Sequence, residues 1–147
     1  MFFFNLFVTI AFFFNNFFGI ISSDLRMEKK DIQINDKKIE VELAQTPEQQ
    51  IQGLSDRRKL GDDKGMLFLF TDYKLRSFWM KDMRFAIDII WIKDNKIADI
   101  TANVAPPKNK GDYLKIYQPK EKVDKVLEVN AGFVEGNNVK IGDAVKY

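Results

Sequence analysis

The chain has 147 residues, 46% of them hydrophobic, and its 23 basic and 21 acidic side chains leave a net charge of +2. This length suits one globular domain, and so small and mixed a charge lacks the clustered basic face that nucleic acid binding needs. Cysteine and histidine are both absent, which excludes disulfides, thiolate nucleophiles, Cys or His metal ligands and a Ser-His-Asp triad. Because no dinucleotide-binding, P-loop or EF-hand motif occurs, we predict no cofactor and no metal.

The N-terminal residues 1–23 form a separate segment without any charged side chain. Its apolar run Phe2–Ile21 has about the 20 residues that span a bilayer as a helix. We therefore predict an N-terminal hydrophobic helix, which is either a cleaved signal peptide or a membrane anchor formed by residues 2–21. In both cases the remaining chain is exported, to the periplasm or to the extracellular space.

From residue 31 onward the sequence predicts short strands and turns. Asp31–Ile34 and Lys38–Ala44 flank an Asn-Asp-Lys turn, and the second run alternates apolar with charged residues, as a half-buried strand does. Thr46–Gln49 then supplies an N-cap, a proline at the first helical position and a capping-box glutamine, so we expect a short helix that ends before Gly53.

Further apolar runs follow at close spacing, and a single turn of helix is predicted within Gly132–Asn138. Many short strands with little helix indicate a mainly β domain over residues 31–147, a compact antiparallel β-sandwich or barrel-like fold with one or two short helices. The remaining predicted strands are Gly65–Phe70, Phe78–Lys81, Ile87–Lys93, Lys96–Thr101, Tyr113–Tyr117, Val126–Asn130 and Val139–Val145.

The stretch RSFWMKDMRFAIDIIWI at residues 76–92 combines apolar and charged side chains. Strand alternation places Trp79 and Lys81 on one face, and it leaves Asp88 as the single charge beside Ile90 and Ile92. A lone carboxylate among apolar neighbours needs a partner, because an unpaired buried charge is very costly.

Glu128 stands in a similar position, between two apolar residues of another predicted strand. Arg57 and Lys81 are the available cations, so we predict that Arg57, Lys81, Asp88 and Glu128 converge with Trp79 on one ligand-binding patch. The alternative is that these charges face water or form structural ion pairs.

Seven motifs in order resemble the DUF192 family, also called UPF0127, over residues 36–146. The resemblance implies a small mainly β domain, commonly behind a signal peptide or anchor in bacteria and archaea, and it specifies no ligand or reaction. The chain departs from the family pattern at Ser55, where methionine is usual, at Asp82-Met83 in place of Asn-Thr, and at Ala86 in place of proline. The motifs are Gly53–Arg57, Gly65–Phe70, Phe78–Lys81, Ile87–Ile89, Ala105–Pro107, Leu127–Gly132 and Gly142–Asp143.

Three functions are compatible with these features. We favour a monomeric, exported or membrane-tethered binding module that takes a small polar or anionic ligand at the five-residue patch. The second is a structural or interaction domain that contacts an envelope protein through a sheet edge or through Pro106-Pro107. The third is a hydrolase with Asp88 and Glu128 as acid and base, which requires their carboxyl groups to lie some 5–10 Å apart. No catalytic residue is assigned.

Overall fold

The structure is a computed structural model that describes residues 27–109 and 111–147. The hydrophobic helix predicted for residues 1–23 lies outside the described residues, together with the choice between signal peptide and anchor. Across the two described ranges, no helix has both the length and the apolar character needed to cross a membrane.

The described chain folds into seven strands and two short helices, so the mainly β prediction is confirmed. In chain order these elements are β1 (Glu28–Ile34), β2 (Lys37–Ala44), α1 (Pro47–Gln52), β3 (Lys64–Lys74), β4 (Ile87–Lys93), β5 (Lys96–Val104), β6 (Val123–Asn130), α2 (Phe133–Gly136) and β7 (Val145–Lys146).

All seven strands form one sheet in the order β5-β4-β6-β3-β2-β1-β7. A bridge between Lys96 and Ala144 joins the region of β5 to that of β7, and the Val145 N–H donates to the Asn95 carbonyl at 2.9 Å. The sheet therefore curls into a half-barrel. The expectation of purely antiparallel pairing is wrong for β2 and β3, which run parallel, because the segment containing α1 carries the chain back across the sheet before β3 begins.

The two faces of the sheet carry separate cores. The inner face unites residues from both ends of the curled sheet, and its buried side chains include Ile34, Val41, Leu67, Ile90, Ile92, Ile97, Leu127, Val129 and Val145. The outer face is covered by the segments 53–60 and 78–83, and its buried side chains include Leu54, Leu60, Met66, Phe68, Met80, Met83, Ile87, Ile89, Trp91 and Val126. The candidate site lies on the outer face.

Several predicted elements agree closely with the structure. Strand β4 has the predicted bounds, and α1 is capped at its N-terminus by Thr46, with both capping-box hydrogen bonds, and at its C-terminus by Gly53. Gly53 has φ +49°, a left-handed value that favours glycine. The predicted helical turn is present as α2.

Three predicted strands are wrong over most of their length. Phe78–Lys81 and Tyr113–Tyr117 are loop segments that meet in the single bridge between Phe78 and Tyr117. In the predicted strand Val139–Val145 only the last residue belongs to a strand, the two-residue β7. Their apolar side chains instead cover the sheet: Met80 and Phe78 pack on the outer core, and Val139 packs on the inner core.

Candidate functional site

A pocket of about 390 Å³ opens on the outer face, between α1 with its following turn and the segment that follows β3. Its wall is largely apolar and aromatic, which is typical of small-molecule sites. The apolar lining side chains are Pro47, Ile51, Leu54, Phe68, Phe70, Leu75, Phe78, Trp79 and Met83, and the polar ones are Gln50, Gln52, Ser55, Lys74, Arg76, Ser77 and Glu128.

Glu128 is the buried acid of this pocket, with only 5% of its surface exposed. It lies on β6 between Met66 of β3 and Ile89 of β4, with which it is in register. Side chains opposite one another on neighbouring strands share a face, so the carboxyl group projects from the outer face between apolar neighbours. Among the described residues, the Glu128 carboxyl group forms no hydrogen bond or ion pair.

Burial changes the acidity of Glu128. Removal from water raises its pKa from 4.5 to about 8, and the nearby positive charge of Arg57 opposes this rise only in part. At neutral pH the group is therefore mostly an uncharged carboxylic acid. Such a group can both donate and accept a hydrogen bond, and it lines a pocket that can hold a ligand.

Arg57 acts on Glu128 from a distance, because it is already held by Glu42 of β2. The Arg57 Nη1 and Nη2 atoms donate to the two carboxylate oxygens of Glu42 at 2.8 and 2.6 Å. This two-pronged contact lowers the pKa of Glu42 and raises that of Arg57. Glu42 is the register neighbour of Met66, so Glu42 and Glu128 flank this methionine on one face, roughly 10 Å apart across two strand spacings.

Arg76 supplies a second polar group to the pocket wall, at the far end from Glu128. Its guanidinium lies 3.8 Å from the centre of the Phe70 ring, an arrangement typical of cation–π contacts. Its Nη2 atom donates to the backbone carbonyl of Asp72 at 2.7 Å and contacts the Asp72 carboxylate. The buried Nε atom has no acceptor within the part of the chain that the structure describes.

The pocket mouth is unusually apolar for a protein surface. Trp79 is 50% exposed, Leu75 52% and Ile51 79%, and all three line the opening. Trp91, by contrast, is fully buried and its Nε1 atom donates to the Thr101 hydroxyl at 2.9 Å. The two tryptophans therefore differ in role: Trp79 forms part of the pocket wall, and Trp91 belongs to the core.

The position of Asp88 contradicts the predicted convergence of the charged side chains on one patch. Its side chain is fully buried on the inner face, opposite Val129 of β6, whereas Glu128 is on the outer face. The expectation that Asp88 pairs with Arg57 or Lys81 is wrong, because its two oxygens accept hydrogen bonds from the backbone N–H groups of Asn103 at 2.8 Å and Val134 at 2.9 Å. Asp88 thereby ties β5 and the first turn of α2 to β4.

The predicted acid–base pair of Asp88 and Glu128 is also contradicted, because the two carboxyl groups lie on opposite faces of the sheet. Lys81 also lies away from the pocket: its side chain is exposed, and its backbone carbonyl accepts a hydrogen bond from the Ser55 hydroxyl at 2.9 Å. Of the five predicted residues, the structure brings Trp79 and Glu128 to one pocket, with Arg57 close behind Glu128. Their role in ligand binding stays a prediction.

Sequence reasoning missed the aromatic wall and Arg76. The run Gly65–Phe70 was visible as an apolar strand, and its alternation could have assigned Phe68 and Phe70 to one face. No sequence pattern indicates the contact between Arg76 and Phe70, because this contact depends on how the chain turns after β3. Ser55 and Met83, two of the departures from the family pattern, both line the pocket.

Metal binding finds no support in the described ranges, where no three acidic side chains are arranged to hold an ion.

Two crystal structures resemble this fold closely. One, from Sinorhizobium meliloti 1021, is described as a candidate transcription regulator; it is 32% identical, with a TM-score of 0.75, over 82% of this chain and 94% of that protein. The other, a protein of unknown function from Novosphingobium aromaticivorans DSM 12444, is 28% identical, with a TM-score of 0.75, over 82% of this chain and 86% of that protein. A comparison with curated proteins finds no match.

The family comparison agrees with the motif order in the sequence. The DUF192 family model, whose description reads "Uncharacterized ACR", matches residues 30–147. This range contains all seven strands except the first two residues of β1, together with the pocket and the carboxyl groups of Asp88 and Glu128. The chain belongs to the DUF192 family.

Proposed function

We propose that this domain binds a small organic molecule in the pocket that contains Glu128. The observation that carries the proposal is the carboxyl group of Glu128, a residue only 5% exposed, which lines an apolar cavity and forms no hydrogen bond with any described residue. Removing a carboxylate from water without giving it a partner is costly, and the raised pKa of Glu128 reflects this cost. A ligand that hydrogen-bonds to Glu128 would offset this cost.

The surroundings of Glu128 support a ligand rather than a structural role. A structural carboxylate is held as Asp88 is, by two backbone N–H groups, and a glutamine or leucine at position 128 would avoid the cost of keeping an acid there. The half-exposed Trp79 offers a flat apolar surface at the opening. The polar or anionic ligand expected from the sequence fits the polar groups at the two ends of the pocket.

The two tryptophans make the proposal directly testable. In a ¹H–¹⁵N spectrum the indole N–H signal of Trp79 should move when a library of small aromatic and aliphatic fragments is added, whereas that of Trp91 should stay in place. Leu75→Glu, at the pocket mouth, should weaken the binding of any hit at least fivefold. Ile116→Glu is the matched control, since Ile116 is similarly exposed but does not line the pocket. Fragments that move neither signal would refute the proposal.

A second candidate, an interaction domain, is favoured by the three exposed apolar side chains at the mouth, Ile51, Leu75 and Trp79. Such a cluster is typical of surfaces that contact another protein. In that case Leu75→Glu would abolish capture of an envelope protein, and fragments would not compete for the site. The regulator description of the Sinorhizobium meliloti protein is not extended to this chain, whose 23 basic and 21 acidic residues are intermixed.

We also propose that the domain functions outside the cytoplasm. This rests on the uncharged apolar run Phe2–Ile21, which suits a signal peptide or an anchor. Sequencing the N-terminus of the mature protein tests it: a start near Ser22–Asp24 indicates cleavage, and an intact Met1 in the membrane fraction indicates an anchor. An intact Met1 in the cytosolic fraction would contradict export.

A further inference from the structure

Glu128 and Arg76 line the pocket at well-separated positions along β3. Glu128 lies level with Met66 of β3, whereas Arg76 stacks on Phe70 of the same strand. These β3 residues are four positions apart, or about 13 Å at roughly 3.3 Å per residue. Phe68 lies between them on the same face. The pocket wall therefore carries a carboxyl group and a guanidinium group, with the Phe68 ring between them.

The Arg76 end carries excess positive charge. Arg76 and Lys74 both line the pocket, and both form ion pairs with the one carboxylate of Asp72. Both contacts of Arg76 to Asp72 use Nη2, which leaves the buried Nε without an acceptor among the described residues. A guanidinium group has five N–H donors in a planar arrangement that matches a carboxylate. The two cations and the single carboxylate of Asp72 leave this end of the pocket with a net positive charge, which favours an anion.

The Glu128 end does not oppose that charge at neutral pH, because burial keeps the acid protonated. Arg57 is the charged group that acts on it, from the segment after α1, and Arg57 is itself paired with Glu42 of β2. The register neighbours of Glu128 on β3 and β4, Met66 and Ile89, are apolar. Below about pH 8 the lining thus contains positive side chains and no negative one.

We propose that the ligand is a small organic carboxylate with an apolar body, held by Arg76 at its carboxylate and reaching Glu128 at its other end. This inference rests on the ligand-binding function proposed above and specifies its chemistry. An amine ligand would place a third positive charge beside Arg76 and Lys74, whereas a carboxylate accepts charge-assisted hydrogen bonds there. The apolar body would pack on Phe68 and the surrounding rings.

A matched set of probes tests the charge preference. We expect 3-phenylpropanoate to shift the Trp79 indole signal at a concentration at least tenfold lower than 3-phenylpropanamide or 3-phenylpropylamine at pH 6.5. Arg76→Lys, which keeps the charge but loses the planar donors, should weaken binding of the propanoate severalfold while the acid still binds more tightly than the amine. Arg58→Lys is the control, because Arg58 is exposed and lies outside the pocket.

The pH dependence gives an independent readout in the unaltered protein. Affinity for the propanoate should fall as the pH rises from 7 to 9, because Glu128 then ionises and adds a negative charge to the pocket. Glu128→Gln should bind the propanoate with an affinity that is flat over this range. If the amine or the amide binds as tightly as the acid, the carboxylate proposal is wrong while the binding function stands. If none of the three moves the Trp79 signal, both proposals are refuted for this pocket.

Discussion

Asp88 and Glu128, two buried acids on adjacent strands, differ in whether the protein supplies hydrogen bonds to their carboxyl groups. Asp88, on the inner face of β4, is held by two backbone N–H groups at 2.8 and 2.9 Å. Glu128, on the outer face of β6, lies in a pocket and forms no hydrogen bond with a described residue, and its pKa rises to about 8. Burial alone therefore does not identify a functional acid. What distinguishes the two is whether the protein itself satisfies the carboxyl group.

The largest expected effect on stability comes from replacing Asp88, whose carboxylate accepts two backbone hydrogen bonds. Asp88→Ala should lower the free energy of unfolding by about 2–5 kcal/mol, because two partly buried N–H groups lose their acceptor and each such loss costs roughly 1–3 kcal/mol. Urea denaturation followed by circular dichroism measures this loss. Asp88→Asn keeps one acceptor oxygen and should lose about half as much. A change below about 1 kcal/mol in Asp88→Ala would mean that Asp88 does not hold β5 and α2 to β4.

Replacing Glu128 should raise the free energy of unfolding, whereas replacing Asp88 should lower it. Between pH 4.5 and about 8 the folded state holds a proton on Glu128 that the unfolded state has released, so stability falls as the pH rises through this window, by at most about 1.4 kcal/mol per pH unit. Glu128→Gln removes this dependence and should exceed the unaltered protein in stability by roughly 2–4 kcal/mol at pH 8.

Urea denaturation at pH 5, 6.5 and 8 measures this difference. Glu135→Gln is a suitable control, because Glu135 is exposed on α2 and its replacement should change the stability equally little at each pH. If Glu128→Gln were less stable than the unaltered protein at pH 8, the charged form of Glu128 would have a partner and the contrast with Asp88 would disappear.

A smaller effect tests whether Arg57, which is paired with Glu42 of β2, also acts on Glu128 in the pocket. Arg57→Gln should cost about 1 kcal/mol, since its contact with Glu42 is partly exposed and screened by water. The same change should raise the pKa of Glu128 further, because it removes the one positive charge that opposes the effect of burial. A carbon-detected NMR titration of the glutamate carboxyl groups measures the pKa. Arg58→Gln, at the exposed neighbouring position, should leave it unchanged.

The smallest effect separates the two surface residues of the predicted patch. Lys81→Ala should change neither stability, within about 0.5 kcal/mol, nor the affinity for 3-phenylpropanoate, because the side chain is exposed and does not line the pocket. Trp79→Ala should likewise preserve stability to within about 1 kcal/mol but weaken the affinity severalfold. Thermal unfolding and calorimetric titration measure the two quantities. Equal losses of affinity in both variants would restore Lys81 to the site.

Local patterns predicted several parts of the fold correctly. The capping residues Thr46 and Gln49 and the glycine at 53 define α1, because these interactions span only a few residues. The alternation along β4 correctly separated Asp88, Ile90 and Ile92 from Ile87, Ile89 and Trp91. It did not identify a strand at Phe78–Lys81, where more and less buried side chains alternate as in a strand although the segment covers a sheet instead of joining one.

The sequence by itself determined the mainly β class, the family, the burial of Asp88 and Glu128 and the faces of individual strands, because each depends on residue type and short-range spacing. Only the tertiary structure decided which strand faces lie on the same side of the sheet. The pairing of Ile89 with Glu128 puts Asp88 on the other side of the sheet, and strand pairing depends on contacts between residues distant in the chain. Tertiary structure also decides the contacts of Arg57 with Glu42 and of Arg76 with Phe70, and it makes Glu128 the one acidic side chain among the described residues that line the pocket.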